Sequence, residues 1–152
     1  MSAPNIAGSK EGAGAPLHPG WLPVLERVPL FQALSKRHLK RVGHLAEMKR
    51  FKKGAVVVKA GAKGDSFFVI LDGGAEVTTL KGKTKKLKEG DYFGELALLD
   101  GAPRAATVTA TGVLTTARIG RPAFQKLLKE DPAVGVGLAH GLVAIVRELQ
   151  GE

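Results

Sequence analysis

The apolar positions of this chain change period twice, and those changes divide it into three parts. Between Trp21 and Met48 they recur every three or four residues, the spacing of one helix face. Between Lys49 and Gly120 they fall in short β-branched and aromatic runs separated by glycine. From Arg121 to Gln150 the helical spacing returns.

The first part reads as helix, turn, helix. Residues Trp21 to Arg27 suit a short helix that Pro29 interrupts, and Pro29-Leu30-Phe31 is a tight turn with two apolar anchors. Ser35 is an N-cap for a second helix, expected from Lys36 to about Met48. Leu39, Val42, Leu45 and Ala46 form its inward stripe, with Lys36, Arg37, Lys40 and Arg41 on the other face.

The second part reads as strands. They are expected at Ala55 to Lys59, Ser66 to Leu71, Ala75 to Leu80, Thr84 to Lys88, Ala106 to Ala110 and Leu114 to Gly120. Lys81-Gly82-Lys83 is a hairpin turn. Short strands with glycine turns at this spacing indicate an all-β barrel or jelly roll.

In the third part, Arg121-Pro122 opens a helix carrying Phe124, Leu127 and Leu128, which stops near Asp131-Pro132. A last helix is expected from Ala133 to Gln150. Its Leu138, Leu142, Ile145 and Leu149 are spaced as a heptad seam. Gly135, Gly137 and Gly141 each cost roughly 1 kcal/mol against alanine in a helix interior, so this helix is marginal by itself.

Composition narrows the classes. The 152 residues suit one domain, and 44% apolar residues can build its core. The absence of cysteine excludes disulfides, thiolate metal sites and cysteine nucleophiles. No run of 18 or more apolar residues suggests a spanning helix, and no leader-like start is visible, so the expected compartment is the cytoplasm. Residues 1–20 are rich in Ala, Gly, Pro and Ser and are expected to form a mobile arm. The formal net charge of +9 suits an anionic ligand or partner. Aromatics are only 5%, with no basic run interleaved with stacking rings, which disfavours nucleic acid.

The candidate chemistry lies between Gly90 and Ala110, G-D-Y-F-G-E-L-A-L-L-D-G-A-P-R-A-A-T-V-T-A. Gly94 tolerates positive φ and lets a ligand lie against the main chain. Glu95 to Leu99 is long enough for one helical turn, whose leading N–H groups favour an anion. Arg104 presents a planar fork of donors matched to phosphate oxygens, and the small Ala105 and Ala106 leave their N–H groups accessible. Glu95 beside a phosphate makes sense if it accepts from a neighbouring hydroxyl, such as a ribose 2′-OH. The competing reading is a surface loop with an Arg–Glu ion pair, worth about 0–1 kcal/mol.

F-G-E-L-A-L-L-D-G-A-P-R-A-A-T-V resembles the phosphate-binding cassette of cyclic nucleotide-binding domains, above all that of the regulatory subunits of cAMP-dependent protein kinase. V-P-L-F-Q-A-L-S and G-D-S-F-F-V-I-L-D-G-G-A-E-V resemble the family's helical entry and central strands. The resemblance implies a mainly β fold with flanking helices: an eight-stranded β-roll with N-terminal helices and two C-terminal helices. The domain would cover residues 21–152, with a helical entry at 21–48, the roll at 49–120 and helices at 121–152.

The resemblance also implies roles. Glu95 would bind the ribose 2′-OH and Arg104 the cyclic phosphate. Backbone N–H groups of Ala97, Ala105 and Ala106 would satisfy phosphate oxygens, and Gly94 with Leu96 would complete the site. Val57, Phe68 and Ile70 would line the barrel. Ala105 stands where cGMP-selective members often carry threonine, so cAMP is the expected ligand and cGMP the weaker one. A C-terminal lid over the base would use Leu142, Ile145, Val146 and Arg147; the alternative is that they pack against the barrel or a partner helix. The expected output is movement of the last helix, read by a protein effector, with the chain a monomer or a dimer. No helix-turn-helix, kinase or channel segment is expected in these residues. An enzyme is disfavoured, since His18, His38, His44 and His140 all fall outside the expected strands and a metal site there would lack histidine ligands. The second rival is a scaffold that has kept the fold and lost the ligand.

Overall fold

The structure is a computed structural model and describes residues 21–151, so the expected arm lies outside the described residues. Helix α1 (Trp21–Arg27) leads through a 3-10 turn (Pro29–Phe31) into α2 (Lys36–Gly43). Eight strands follow: β1 (Glu47–Phe51), β2 (Val56–Val58), β3 (Ser66–Asp72), β4 (Ala75–Thr79), β5 (Thr84–Leu87), β6 (Tyr92–Phe93), β7 (Ala106–Ala110) and β8 (Leu114–Gly120). One helical turn, α3 (Ala97–Asp100), interrupts them between β6 and β7, and α4 (Arg121–Glu130) and α5 (Pro132–Leu149) end the chain. The strands form two antiparallel sheets, β1-β8-β3-β6 and β2-β7-β4-β5.

Strand β3 shows why the roll holds its helices. Side chains alternate across a sheet, so the uninterrupted apolar run of β3 supplies two cores. Phe67, Val69 and Leu71 join Trp21, Leu25, Leu30, Phe31, Phe124 and Leu138 in a core between sheet and helices. Ile70 faces the other way and meets Ala75, Leu87, Val108 and Leu114 between the sheets. Phe31 is the keystone of the helical side: its ring stands edge-on to Phe67 at 5.8 Å and lies 6.4 Å from Phe124.

Two strands depart from the expectation. Helix α2 stops at Gly43, not near Met48, and Glu47 to Phe51 pair with β8 from Glu47↔Arg118 to Phe51↔Leu114. Leu45 and Ala46 continue the helical spacing of Leu39 and Val42, but both are reached through the turn after Gly43. Pairing with β8 overrides the local pattern. Strand β6 has only two residues, too few to carry a period. Elsewhere the expected strands agree to within about two residues.

Ser35 caps α2 as expected, its Oγ accepting from the His38 N–H at 3.1 Å. Ser35→Ala is expected to lower stability by about 1 kcal/mol, read as a shift in the urea midpoint with unchanged slope.

The glycines of α5 have a structural reason. A Cβ at Gly141 would collide with the Leu30 carbonyl oxygen, and one at Gly137 would lie 2.6 Å from Leu34 Cδ2. These notches let α5 lie directly on the 3-10 turn, where Val134 and Leu138 are buried. Asp131, at the α4–α5 junction, accepts from Arg41 Nη1 at 2.9 Å and lies 3.4 Å from His38 Nε2, tying that hinge to α2. By length and composition alone α5 is long and apolar enough to cross a membrane. Its interruptions by glycine and His140 had left no unbroken apolar run in the sequence.

Candidate functional site

Between β6 and β7 the chain folds into a pocket of about 410 Å³. Gly94, Glu95, Leu96, Ala97, Arg104, Ala105 and Ala106, all expected from sequence, line it. Gly94 takes φ +87, and a Cβ there would lie 2.6 Å from Arg104 Nη1 and 2.8 Å from the Ser66 carbonyl oxygen. Glycine is therefore what permits the guanidinium to lie against this backbone.

Arg104 is held on both sides. Its backbone N–H donates to the Ala62 carbonyl at 2.7 Å, and its carbonyl accepts from Gly61 N–H at 2.8 Å. Its side chain is only 8% exposed. Nη2 donates to the Ser66 carbonyl at 2.8 Å and to Ser66 Oγ at 3.2 Å. Its carboxylate neighbour is Asp65, at 4.0 Å; the described ion pairs include none between Arg104 and Glu95, so the site is not the simple Arg–Glu pair. Burial lowers the Arg104 pKa from its ordinary value, opposed by Asp65 and reinforced by Arg118. A guanidinium stays cationic at neutral pH even so. Nη1 and Nε make no hydrogen bond among the described residues, leaving donors for an incoming anion.

The main-chain donors differ. Ala97 N–H already donates to the Gly94 carbonyl at 3.1 Å, as part of the turn leading into α3. Ala105 N–H has no backbone acceptor among the described turn and loop bonds. Thr107 is a supporting residue: its Oγ1 accepts from Ala60 N–H at 3.0 Å, fastening β7 to the loop after β2. Glu95 is half-buried at the pocket wall. Nearby Tyr92 has its phenol pKa raised, first by burial and then by Glu95.

The remaining wall comes from Val58, Val77, Phe93, Asp100, Ala102, Pro103 and Val108. Sequence reasoning did not assign these, although Val58, Val77 and Val108 lie on expected strands whose inward faces could have suggested them. Of the residues expected to line the barrel, Ile70 is buried in the core between the sheets, with Val57 packed against it, and Val57 and Phe68 also line an adjoining recess. The lid residues are not brought to the pocket. Leu142 packs beside the helical core, while Leu142, Val146 and Arg147 line a shallow groove on α5 with Val143 and Gln150. No group of three or more His, Cys, Asp or Glu side chains suited to a metal occurs among the described residues.

This arrangement sets a largely buried guanidinium with two open donors and a carboxylate in one pocket of the β-roll. The sequence model of the cyclic nucleotide-binding domain matches residues 48–131, more than half of the chain. The chain belongs to the cyclic nucleotide-binding domain family. It is 41% identical over 122 residues to a cAMP-dependent protein kinase regulatory subunit of Mycosarcoma maydis, covering 74% of this chain and 23% of the relative. A regulatory subunit of Colletotrichum orbiculare is 40% identical, with 74% and 29% covered. The chain thus spans about a quarter of the length of these relatives. Among solved structures, the N-terminal domain of a transcriptional regulator from Streptomyces coelicolor superposes with TM-score 0.68 at 27% identity, covering 83% of this chain and 94% of that one. A regulatory subunit of a cAMP-independent protein kinase A from Trypanosoma brucei shares the fold, with TM-score 0.62 at 21% identity and 86% and 44% covered.

Proposed function

We propose that this chain is a cyclic nucleotide sensor that prefers cAMP, binds without catalysing, and reports occupancy to a protein effector through α5. The observation that carries this reading is the convergence of Gly94, Glu95, Arg104 and Ala105 on one pocket. Two open guanidinium donors and an unengaged amide suit a cyclic phosphate, and Glu95 suits the ribose 2′-OH. Ala97 N–H would join them only by releasing Gly94. Arg104 and Glu95 are given binding tasks, which leaves neither an evident catalytic one, and the relatives named above are regulatory subunits. The cytoplasm remains the proposed compartment.

Titration calorimetry with cAMP and cGMP tests the reading. Saturable binding is expected, tighter for cAMP by several-fold, since one hydrogen bond contributes about 0.5–1.5 kcal/mol. Ala105→Thr is expected to narrow or reverse that preference by supplying a hydroxyl. Unchanged selectivity in this variant would remove position 105 from base choice.

Signalling would work through α5. Its seat on the 3-10 turn leaves Leu142, Ile145, Val146 and Arg147 away from the pocket, so serving as a lid requires the helix to move. A ligand that binds one position better shifts the helix toward it. Backbone NMR with and without cAMP reads this directly. Identical shifts and order parameters for residues 132–149 in both states would sink it.

The scaffold reading is favoured by one observation: Arg104 Nη2 is already satisfied by Ser66. No heat at high micromolar concentrations of either nucleotide would select it.

A further inference from the structure

On the other side of Arg104 from the pocket lies a recess of about 330 Å³. It is lined by β1 and β2, each at one edge of its sheet. Phe51 and Val57 give it an apolar wall, and Phe51 stands edge-on to Phe68 at 6.3 Å. Its charged lining is Lys49, Lys59, Lys63, Arg104 and Arg118 against the single carboxylate Asp65. Asp65 is divided between Arg104 at 4.0 Å and Arg118 at 3.9 Å, while Glu47 engages Arg118 at 3.1 Å. Lys49, Lys59 and Lys63 have no carboxylate partner among the described residues.

These lysines come from β1, the end of β2 and the loop before β3, so the fold and not a local charge run gathers them. Like charges crowded around a concave, low-dielectric wall focus a positive potential there. The cassette pocket contrasts with this, since Glu95 and Asp100 line it along with Arg104. A solvated basic face would need no apolar wall.

We propose that this recess is a second ligand site, for a small organic phosphate whose flat apolar body rests on Phe51 and Val57 while Lys49, Lys59 and Lys63 hold its phosphate. The volume lies at the small end of ligand pockets, about 300–1,000 Å³. Arg104 forms a wall of both cavities, so an anion in the recess competes for its guanidinium and weakens binding in the pocket, and the reverse holds equally. The site stands whether or not the pocket takes a cyclic nucleotide, because the three lysines do not line that pocket.

The test is amide-shift mapping of the full chain with 5′-AMP and inorganic pyrophosphate as probes. Saturable 5′-AMP shifts are expected at residues 49–51, 57–63 and 118. A Lys49→Ala, Lys59→Ala, Lys63→Ala variant should weaken 5′-AMP at least about tenfold, the order expected for lost charge-assisted contacts. The same variant should bind cAMP within about threefold of wild type, a residual effect of lost charge attraction. All three lysines are exposed, so the variant is expected to fold, and circular dichroism checks that it does. The proposal is overturned by shifts confined to residues 94–106, by equal 5′-AMP affinity in the variant, or by no saturable shift at millimolar probe. Pyrophosphate binding as tightly as 5′-AMP overturns the role given to the apolar wall. Failure of cAMP to bind anywhere would leave these outcomes readable and would count against the proposed function alone.

Discussion

Arg104→Ala is expected to weaken cyclic nucleotide binding by about 100-fold or more. Hydrogen bonds to charged groups contribute about 1.5–3 kcal/mol each, and Nη1 and Nε can together offer two to a phosphate. A tenfold change in affinity corresponds to about 1.4 kcal/mol. The fold should survive, because Arg104 sits at a cavity wall and the protein bonds it releases are those to Ser66 and the long contact with Asp65. Arg104→Lys keeps the charge and loses the fork, so its affinity should fall between the two. Calorimetry on all three proteins, with thermal melts as control, reads the series. Wild-type affinity in the alanine variant would remove Arg104 from the site.

Gly94→Val should damage both stability and binding. Position 94 holds φ +87, which a β-branched residue adopts only under strain of about 1–3 kcal/mol. The new Cβ would also press on Arg104 Nη1 and on the Ser66 carbonyl. The guanidinium can swing away, but the carbonyl belongs to the buried start of β3 and cannot. The expected result is a melt several degrees lower, with nucleotide affinity reduced at least about tenfold through the displaced guanidinium. Arg104→Ala offers the useful comparison, since it should lose affinity with less loss of stability. A Gly94→Val protein that melts and binds as wild type would show that this close approach is absent in solution.

The pocket was largely legible because its polar chemistry is contiguous in sequence. Gly94 to Ala97 and Arg104 to Ala106 sit on one connection between strands, so a single motif carried the donors, the carboxylate and the glycine. The apolar walls were not, because Val58, Val77 and Val108 come from three strands and meet only after the sheet forms. The recess beside Arg104 was hidden for the same reason: its lysines look like scattered surface charge until the fold brings β1, β2 and the loop before β3 to one cavity. Helix α2 reads longer in the sequence than it is in the fold, because Leu45, Ala46 and Met48 fit a helical stripe as well as they fit the approach to an edge strand. The glycines of α5 were legible only as a weakness. The packing of Gly137 and Gly141 on Leu34 and Leu30 is a non-local fact that makes the same residues a fitted contact. The proposed lid would need α5 to rearrange, which no pattern within α5 encodes.

A solved complex of this chain with cAMP tests the central claim most directly. The cyclic phosphate is expected within hydrogen-bonding distance of the Arg104 guanidinium and the Ala105 N–H, with the ribose 2′-OH on Glu95. A nucleotide seated elsewhere, or an Arg104 still turned wholly to Ser66 with the phosphate out of its reach, would contradict it.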